Sequence, residues 1–164
     1  MTILPGNTEF PNNVIDLVTL RIPTAVDTDL QVWKRMLRPT DGPQAVAVFP
    51  STKLPVPISK EIRGVESTLK TYNIIIQSMV KDTDEAACIS VHSILANRLW
   101  RLWLRDSPLH AGLTALSVAV DNTIERFQRR DMTLQRYLSN EVQGTFVQTA
   151  WIECWFETET VETN

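Results

Sequence analysis

Residues 62–79, IRGVESTLKTYNIIIQSM, decide the fold that the sequence predicts. Their apolar residues recur at spacings of 3, 4, 3, 4 and 3, at Ile62, Val65, Leu69, Tyr72, Ile76 and Met79. This spacing places the six side chains on one face of an α-helix. Because Ser59 is a suitable N-cap, we predict an amphipathic helix over residues 59–81.

The chain after this helix shows the same helical spacing. Apolar residues predict a second helix over residues 84–105 and a third over residues 108–129, which Ser107-Pro108 opens. A fourth is expected from Asp131 or Thr133, with Gly144 as its C-terminal cap. The expected core of these helices consists of Leu69, Tyr72, Ile76, Leu95, Leu116, Val120 and Ile124.

Residues 145–157 have an ambiguous pattern. Thr145 and Gln148 have the spacing of a capping box, and apolar residues recur every four positions, which favours a helix. The aromatic and β-branched residues of the segment would also suit a buried strand. We prefer the helix.

Proline marks the N-terminal third of the chain, since eight of the nine prolines lie in residues 1–57. Proline lacks a backbone N–H and disrupts helix interiors. We therefore predict an arm of turns and short elements there. It would hold a strand over residues 14–22, a short helix from Asp27 or Asp29, and a strand from Ala45 to Phe49.

The predicted fold is mainly α. It consists of an antiparallel helical bundle over about residues 59–157, preceded by a proline-rich arm with one or two short strands and a short helix. The predicted segments are an arm (1–57), a helical bundle (58–157) and an acidic tail (158–164).

Composition narrows the class of protein. The chain has 164 residues, of which 43% are hydrophobic, too many for a disordered chain. No apolar run is long enough to cross a bilayer. Residues 1–5 lack the basic stretch of a secretory signal, and two cysteines are too few for a disulfide scaffold. We expect a cytoplasmic protein, or a virion protein if it is viral.

The formal net charge of −3 is unevenly distributed. Residues 98–136 contain seven arginines and four acidic residues, whereas residues 137–164 contain five glutamates and no basic residue. A basic segment followed by an acidic one is typical of self-association or of an electrostatic partner. Two solvated faces without a partner would give the same pattern.

Tryptophan and arginine concentrate in residues 97–105, NRLWRLWLR. Three arginines share one face of the predicted second helix, and two tryptophans flank that face. Arginine beside tryptophan holds phosphate and stacks on bases, and the same residues dominate protein interfaces. Two other interpretations are that the segment binds a membrane surface, or that its tryptophans lie in the core and its arginines in solvent. The candidate interface or nucleic-acid-binding residues are Arg98, Trp100, Arg101, Trp103 and Arg105.

Residues suited to catalysis are few. The histidines are His92 and His110, and Cys88 lies four residues before His92 on one predicted helix face. A metal site needs at least a third ligand, and a nucleophilic thiol must be exposed. The sequence contains no glycine-rich phosphate loop and no hydrolase motif. We therefore expect no enzyme, no cofactor and no metal, with a small enzyme or metal protein around Cys88 and His92 as a remaining alternative.

Three features follow one another along the chain: Val32-Trp33-Lys34, then Val46 to Pro50, then the long predicted helix. This order resembles that of coat proteins of rod-shaped plant viruses, over about a third of the chain. The resemblance implies a structural protein and transfers no site residue. We predict a non-enzymatic protein that forms homo-oligomers, such as a viral coat or matrix protein. The alternative is a nucleic-acid-binding module that uses the Arg/Trp helix, with weak affinity because the chain is net acidic.

Overall fold

The computed structural model of the protein describes residues 10–51, 56–62 and 65–162. A seven-stranded mixed sheet forms its centre, and three helices pack on one face of that sheet. The described chain is thus mainly β, and the predicted helical bundle is wrong. None of its described helices is both long enough and apolar enough to cross a membrane.

The helices and strands range in length from 3 to 21 residues. The helices are α1 (Asn12–Ala25), α2 (Glu85–Arg105) and α3 (Ser107–Ala115). The strands are β1 (Gln31–Trp33), β2 (Gln44–Pro50), β3 (Val56–Ile62), β4 (Val65–Asp82), β5 (Ser117–Val120), β6 (Thr123–Val142) and β7 (Thr145–Glu162). The sheet order is β1-β2-β4-β7-β6-β5, and β3 also pairs with β4. Only the β1–β2 pair is parallel among these described strands.

The end of β3 and most of β4 occupy the place of the first helix, which was predicted over residues 59–81. Every side chain from Ile74 to Val80 is buried, because helices cover one sheet face while Leu37 packs on the other. A strand buried on both faces has a continuous apolar run, and periodicity does not separate such a run from a helix. The β-branched triplet Ile74–Ile76 was the signal that favoured a strand.

Two N-terminal predictions are also wrong. Residues 14–22 belong to α1 and not to a strand, since Val14, Val18 and Ile22 recur every four positions and are fully buried. The predicted short helix after Asp27 is instead the three-residue strand β1 followed by a loop. The predicted strand from Ala45 to Phe49 is confirmed as part of β2.

The C-terminal half mixes correct and wrong predictions. The second helix is confirmed as α2, and the third is correct only as far as Ala115. The predicted fourth helix is β6, and residues 145–157 belong to β7. Gly144 does not cap a helix: Gln143 and Gly144, with φ values of 51° and 79°, form the type I′ turn of a hairpin between two long strands.

Described residues of the predicted arm and of the predicted tail contribute strands to the sheet. β2 pairs with β4 over seven residues, and residues 158–162, expected in an acidic tail, complete β7. Of the expected core, Tyr72, Ile76 and Leu95 are buried. Half-buried positions are Leu69, Leu116 and Ile124, and the side chain of Val120 lies outside the described part.

Candidate functional site

α2 positions the residues of the Arg/Trp segment. It begins where the Asp84 side chain accepts a hydrogen bond from the backbone N–H of Ala87 at 3.2 Å. It ends at Asp106, whose carboxylate accepts one from the N–H of Leu109 at 2.9 Å and so caps α3. One face of α2 packs on the sheet with its apolar residues. The arginines of its last turns consequently lie on the exposed face.

The two tryptophans of this segment have opposite environments. Trp103 is fully buried, and its indole Nε1 donates a hydrogen bond of 2.8 Å to the carbonyl of Asp131 on β6. It also meets the ring of Phe156 edge-on. Trp100 is 37% exposed. Of the pair, only Trp100 is therefore available to a partner at the surface.

Three arginines line a cleft of about 640 Å³ between the end of α1 and the second half of α2. Arg98 donates a hydrogen bond of 3.1 Å from Nη1 to the carbonyl of Val26. The guanidinium of Arg105 lies 5.3 Å from the centre of the Trp100 ring, a cation–π distance. These contacts hold Arg98 and Arg105 beside the opening, with Arg101 between them. We call this feature the arginine cleft.

The one acidic residue that lines the arginine cleft is already paired. Asp106 accepts hydrogen bonds of 2.8 and 2.9 Å from Arg21 of α1. This pairing lowers the pKa of the Asp106 carboxyl, which therefore stays ionised and bound to Arg21. In the part of the chain that the structure describes, no ion pair involves Arg98, Arg101 or Arg105. The cleft thus offers uncompensated positive charge to a carboxylate or a phosphate.

The thiol–imidazole pair of α2 lies inside the protein. Cys88 is fully buried and donates a hydrogen bond of 3.3 Å to the carbonyl of Val80, and burial raises the pKa of its thiol. His92 is 2% exposed, and its Nε2 lies 2.9 Å from the hydroxyl of Ser78. His110 is apart from this pair, and its Nδ1 lies 3.0 Å from Nη1 of Arg130. The described residues contain no group of three metal-ligating side chains. That the protein is not an enzyme stays a prediction.

A second exposed surface, on β6, was missed by the sequence reasoning. β5 pairs only with Thr123–Arg126, so in the described structure no strand covers the outer edge of β6 from Phe127 onward. Every residue from Arg136 to Gly144 is exposed. We call Arg136–Val142 the edge segment. The turn residue Gly144, placed before a run rich in β-branched and aromatic residues, was the signal of a hairpin here.

The edge segment exposes an unusual share of apolar surface. Tyr137 is 51% exposed, Leu138 38% and Val142 54%. Tyr137 lies on the helix side of the sheet, where its ring is 5.7 Å from that of His92, and Leu138 and Val142 lie on the other side. Both faces of this strand end are therefore open to a partner.

Comparisons with known proteins identify no family for the chain. No family model matches the chain, and no curated protein matches it. Among solved structures, the chain is similar to one from a "Virion of native gene transfer agent (GTA) particle", at 10% sequence identity and a TM-score of 0.31. The alignment covers 89% of this chain and 84% of that chain. A likeness this weak carries no argument about function.

Proposed function

We propose that the protein is a non-enzymatic structural protein that associates into homo-oligomers and builds a larger assembly, such as a viral coat or matrix. It would then act in a virion, or in the cytoplasm if it is not viral. The observation that supports the proposal is the edge segment, which combines a strand edge that no described strand covers with three exposed apolar side chains.

Such a strand end is costly to leave in water. Single exposed hydrophobic residues are ordinary, whereas a contiguous apolar patch, such as the one that Leu138 and Val142 line on one face of β6, marks an interaction site. Covering a large apolar side chain gains about 1.5–3 kcal/mol when it is fully exposed at first. Three such side chains, each about half exposed, together offer a few kcal/mol to a partner.

The experiment is to measure the mass of the protein in solution over a range of concentrations, by sedimentation velocity. We expect wild type to form oligomers and Leu138→Lys to shift towards monomer, because the added charge would have to be buried in the contact. Leu20→Lys is the matched control, since Leu20 is 73% exposed on α1, away from the edge segment. A wild type that stays monomeric at millimolar concentration would contradict the proposal, as would equal effects of the two variants.

One observation favours a second candidate, a nucleic-acid-binding module. The guanidinium groups of the arginine cleft, which form no ion pair among the described residues, suit phosphate as well as carboxylate. Three phosphate contacts on single-stranded RNA predict a slope of about −2 for the logarithm of affinity against the logarithm of salt concentration. We rank this candidate second because the chain has a net charge of −3, which repels a polyanion.

A further inference from the structure

One end of the molecule gathers carboxylates from two distant parts of the sequence. Asp82 ends β4, and Asp84 and Glu85 open α2 directly after it. In the sheet, Phe146 pairs with Asp82 on one side and with Glu141 of the edge segment on the other. Two strand spacings, about 10 Å, therefore separate Glu141 from Asp82. We call these four carboxylates the acidic end.

The acidic end is not neutralised by the described part of its own chain. None of its four carboxylates forms an ion pair there. Asp82 and Asp84 accept backbone N–H groups, of Asp84 and of Ala87. The nearest lysine in sequence, Lys81, donates instead to the carbonyl of Pro39 at 2.7 Å.

Helix electrostatics explain only part of this separation of charge. A helix favours acids in its first turn and cations in its last turn, and the effect falls off within that turn. Glu85 and Arg105 fit this rule. Arg98 lies nearly two turns before the end of α2, and Glu141 is not on a helix at all. Arg98 is explained by its hydrogen bond to the carbonyl of Val26, the C-cap of α1. Arg101 and Glu141, by contrast, form no ion pair in the described part of the chain and call for another explanation.

The acidic end and the arginine cleft of one copy lie too far apart to neutralise each other's charge. Glu85 and Arg101 are sixteen residues apart on α2, which is about 24 Å along the helix axis. Charges at that distance are screened at physiological ionic strength, where the Debye length is about 8 Å. Among the described residues, Asp106 alone brings a carboxylate to the arginine cleft, and Asp106 is bound to Arg21, so a second copy is the source that we consider for a further one.

We propose that the acidic end and edge segment of one copy dock into the arginine cleft of a second copy. This inference rests on the proposed function and names the two surfaces that meet. Glu141 supplies the carboxylate that Arg101 lacks. The exposed apolar side chains of the edge segment meet Trp100 and Ile94, which are 37% and 52% exposed on α2.

Side chains, rather than backbone edges, would make this contact. A register shift in the β6–β7 pairing lies between Leu134 and Arg136, directly before the edge segment. Bulges and charged residues are the features that keep exposed strands from adding another strand. Because two different surfaces meet, one copy of a pair keeps a free cleft and the other keeps a free acidic end. Such a head-to-tail contact builds a ring if its rotation closes and a filament if it does not.

The test uses two charge reversals, Arg101→Glu in the cleft and Glu141→Lys at the acidic end. Each alone places like charges across the contact, so we expect each to weaken self-association at least about tenfold, measured by sedimentation velocity at low salt. Arg126→Glu, an exposed arginine outside both surfaces, is the matched control and should associate like wild type.

Mixing the two variants gives the sharper measurement. Arg101→Glu keeps an intact acidic end and Glu141→Lys keeps an intact cleft, so one native contact can form between them. The mixture should associate again although neither variant does so alone, because the native contact forms and the two reversed charges also face each other with opposite signs. A thermal melt like that of wild type shows that a variant is folded. If a charge reversal does not fold, the neutral variants Arg101→Gln and Glu141→Gln are used in its place.

Three results would overturn the inference while the proposed function stands. In the first, both charge reversals associate like wild type. In the second, the mixture stays monomeric although wild type associates. In the third, Arg101→Glu loses binding to a single-stranded RNA oligonucleotide but associates normally, which would assign the cleft to nucleic acid. A wild type that never associates would overturn the proposed function and the inference together.

Discussion

Trp100 and Trp103 are three residues apart on α2, yet they should respond differently to truncation. Trp103→Ala removes a fully buried side chain and leaves the carbonyl of Asp131 without its 2.8 Å donor. We expect it to lower the free energy of unfolding by about 3–5 kcal/mol. Trp100→Ala removes a partly exposed ring and a cation–π contact with Arg105, which costs about 1 kcal/mol. Urea denaturation measures both, and equal costs would contradict the assignment of Trp103 to the core.

His92 should make stability depend on pH. Burial lowers the pKa of its imidazole below 6.5. As the pH is lowered, the unfolded chain therefore takes up a proton at a higher pH than the folded chain does. The stability contributed by neutral His92 is therefore complete above pH 6.5 and falls as the pH is lowered towards the folded-state pKa. We expect a smaller free energy of unfolding at pH 5 than at pH 7.5.

Substitution identifies the group responsible. His92→Gln should flatten the change in the free energy of unfolding between these two pH values. An unchanged slope in His92→Gln would assign the pH dependence to other groups.

Among the elements, the hairpin of β6 and β7 depends on its turn. Gly144 has a φ of +79°, a conformation that costs an L-amino acid about 1–2 kcal/mol, and an added Cβ would meet no atom within 4 Å. Gly144→Ala should therefore destabilise the protein by that amount through backbone strain alone. Gly112→Ala in α3 is the comparison, because its Cβ would touch only the Leu17 side chain, at 3.4 Å, and alanine favours a helix. Thermal unfolding that ranks the two variants in the opposite order would rule out strain at the turn.

How far an element could be predicted depended on how many of its faces are buried. α2 was predictable because one face is buried and the other is solvated, which produces a clear 3.6-residue period. β4 was not, because Ile74–Val80 is buried on both faces and leaves no alternation of period 2. The predicted helix over residues 145–157 was wrong for the same reason, because β7 is covered on both faces. On the face away from the helices, the half-buried Trp151 and Trp155 stack under Arg136 and Arg129.

At the scale of the whole molecule, half of the proposed contact could be predicted from sequence. The arginines of the cleft share a helix face, and local spacing is enough to place them together. The acidic end depends on the pairing of β4 with β7 and of β7 with β6, which joins residues far apart in the chain. Local patterns carry no information about such long-range register, so Glu141 and the edge segment could not be predicted.

The position of β7 between β4 and β6 has a consequence for synthesis on the ribosome. β4 pairs with β7 from Asp82–Phe146 to Ser67–Val161, so the partners are 64 to 94 residues apart. Pairings of such high contact order form slowly, because a long loop must close before its contacts stabilise anything. A nascent chain that has emerged only as far as Gly144 still leaves one edge of β4 without its partner. A translation product that stops there carries an apolar, β-branched edge with nothing to cover it, and chaperones or aggregation would compete for it.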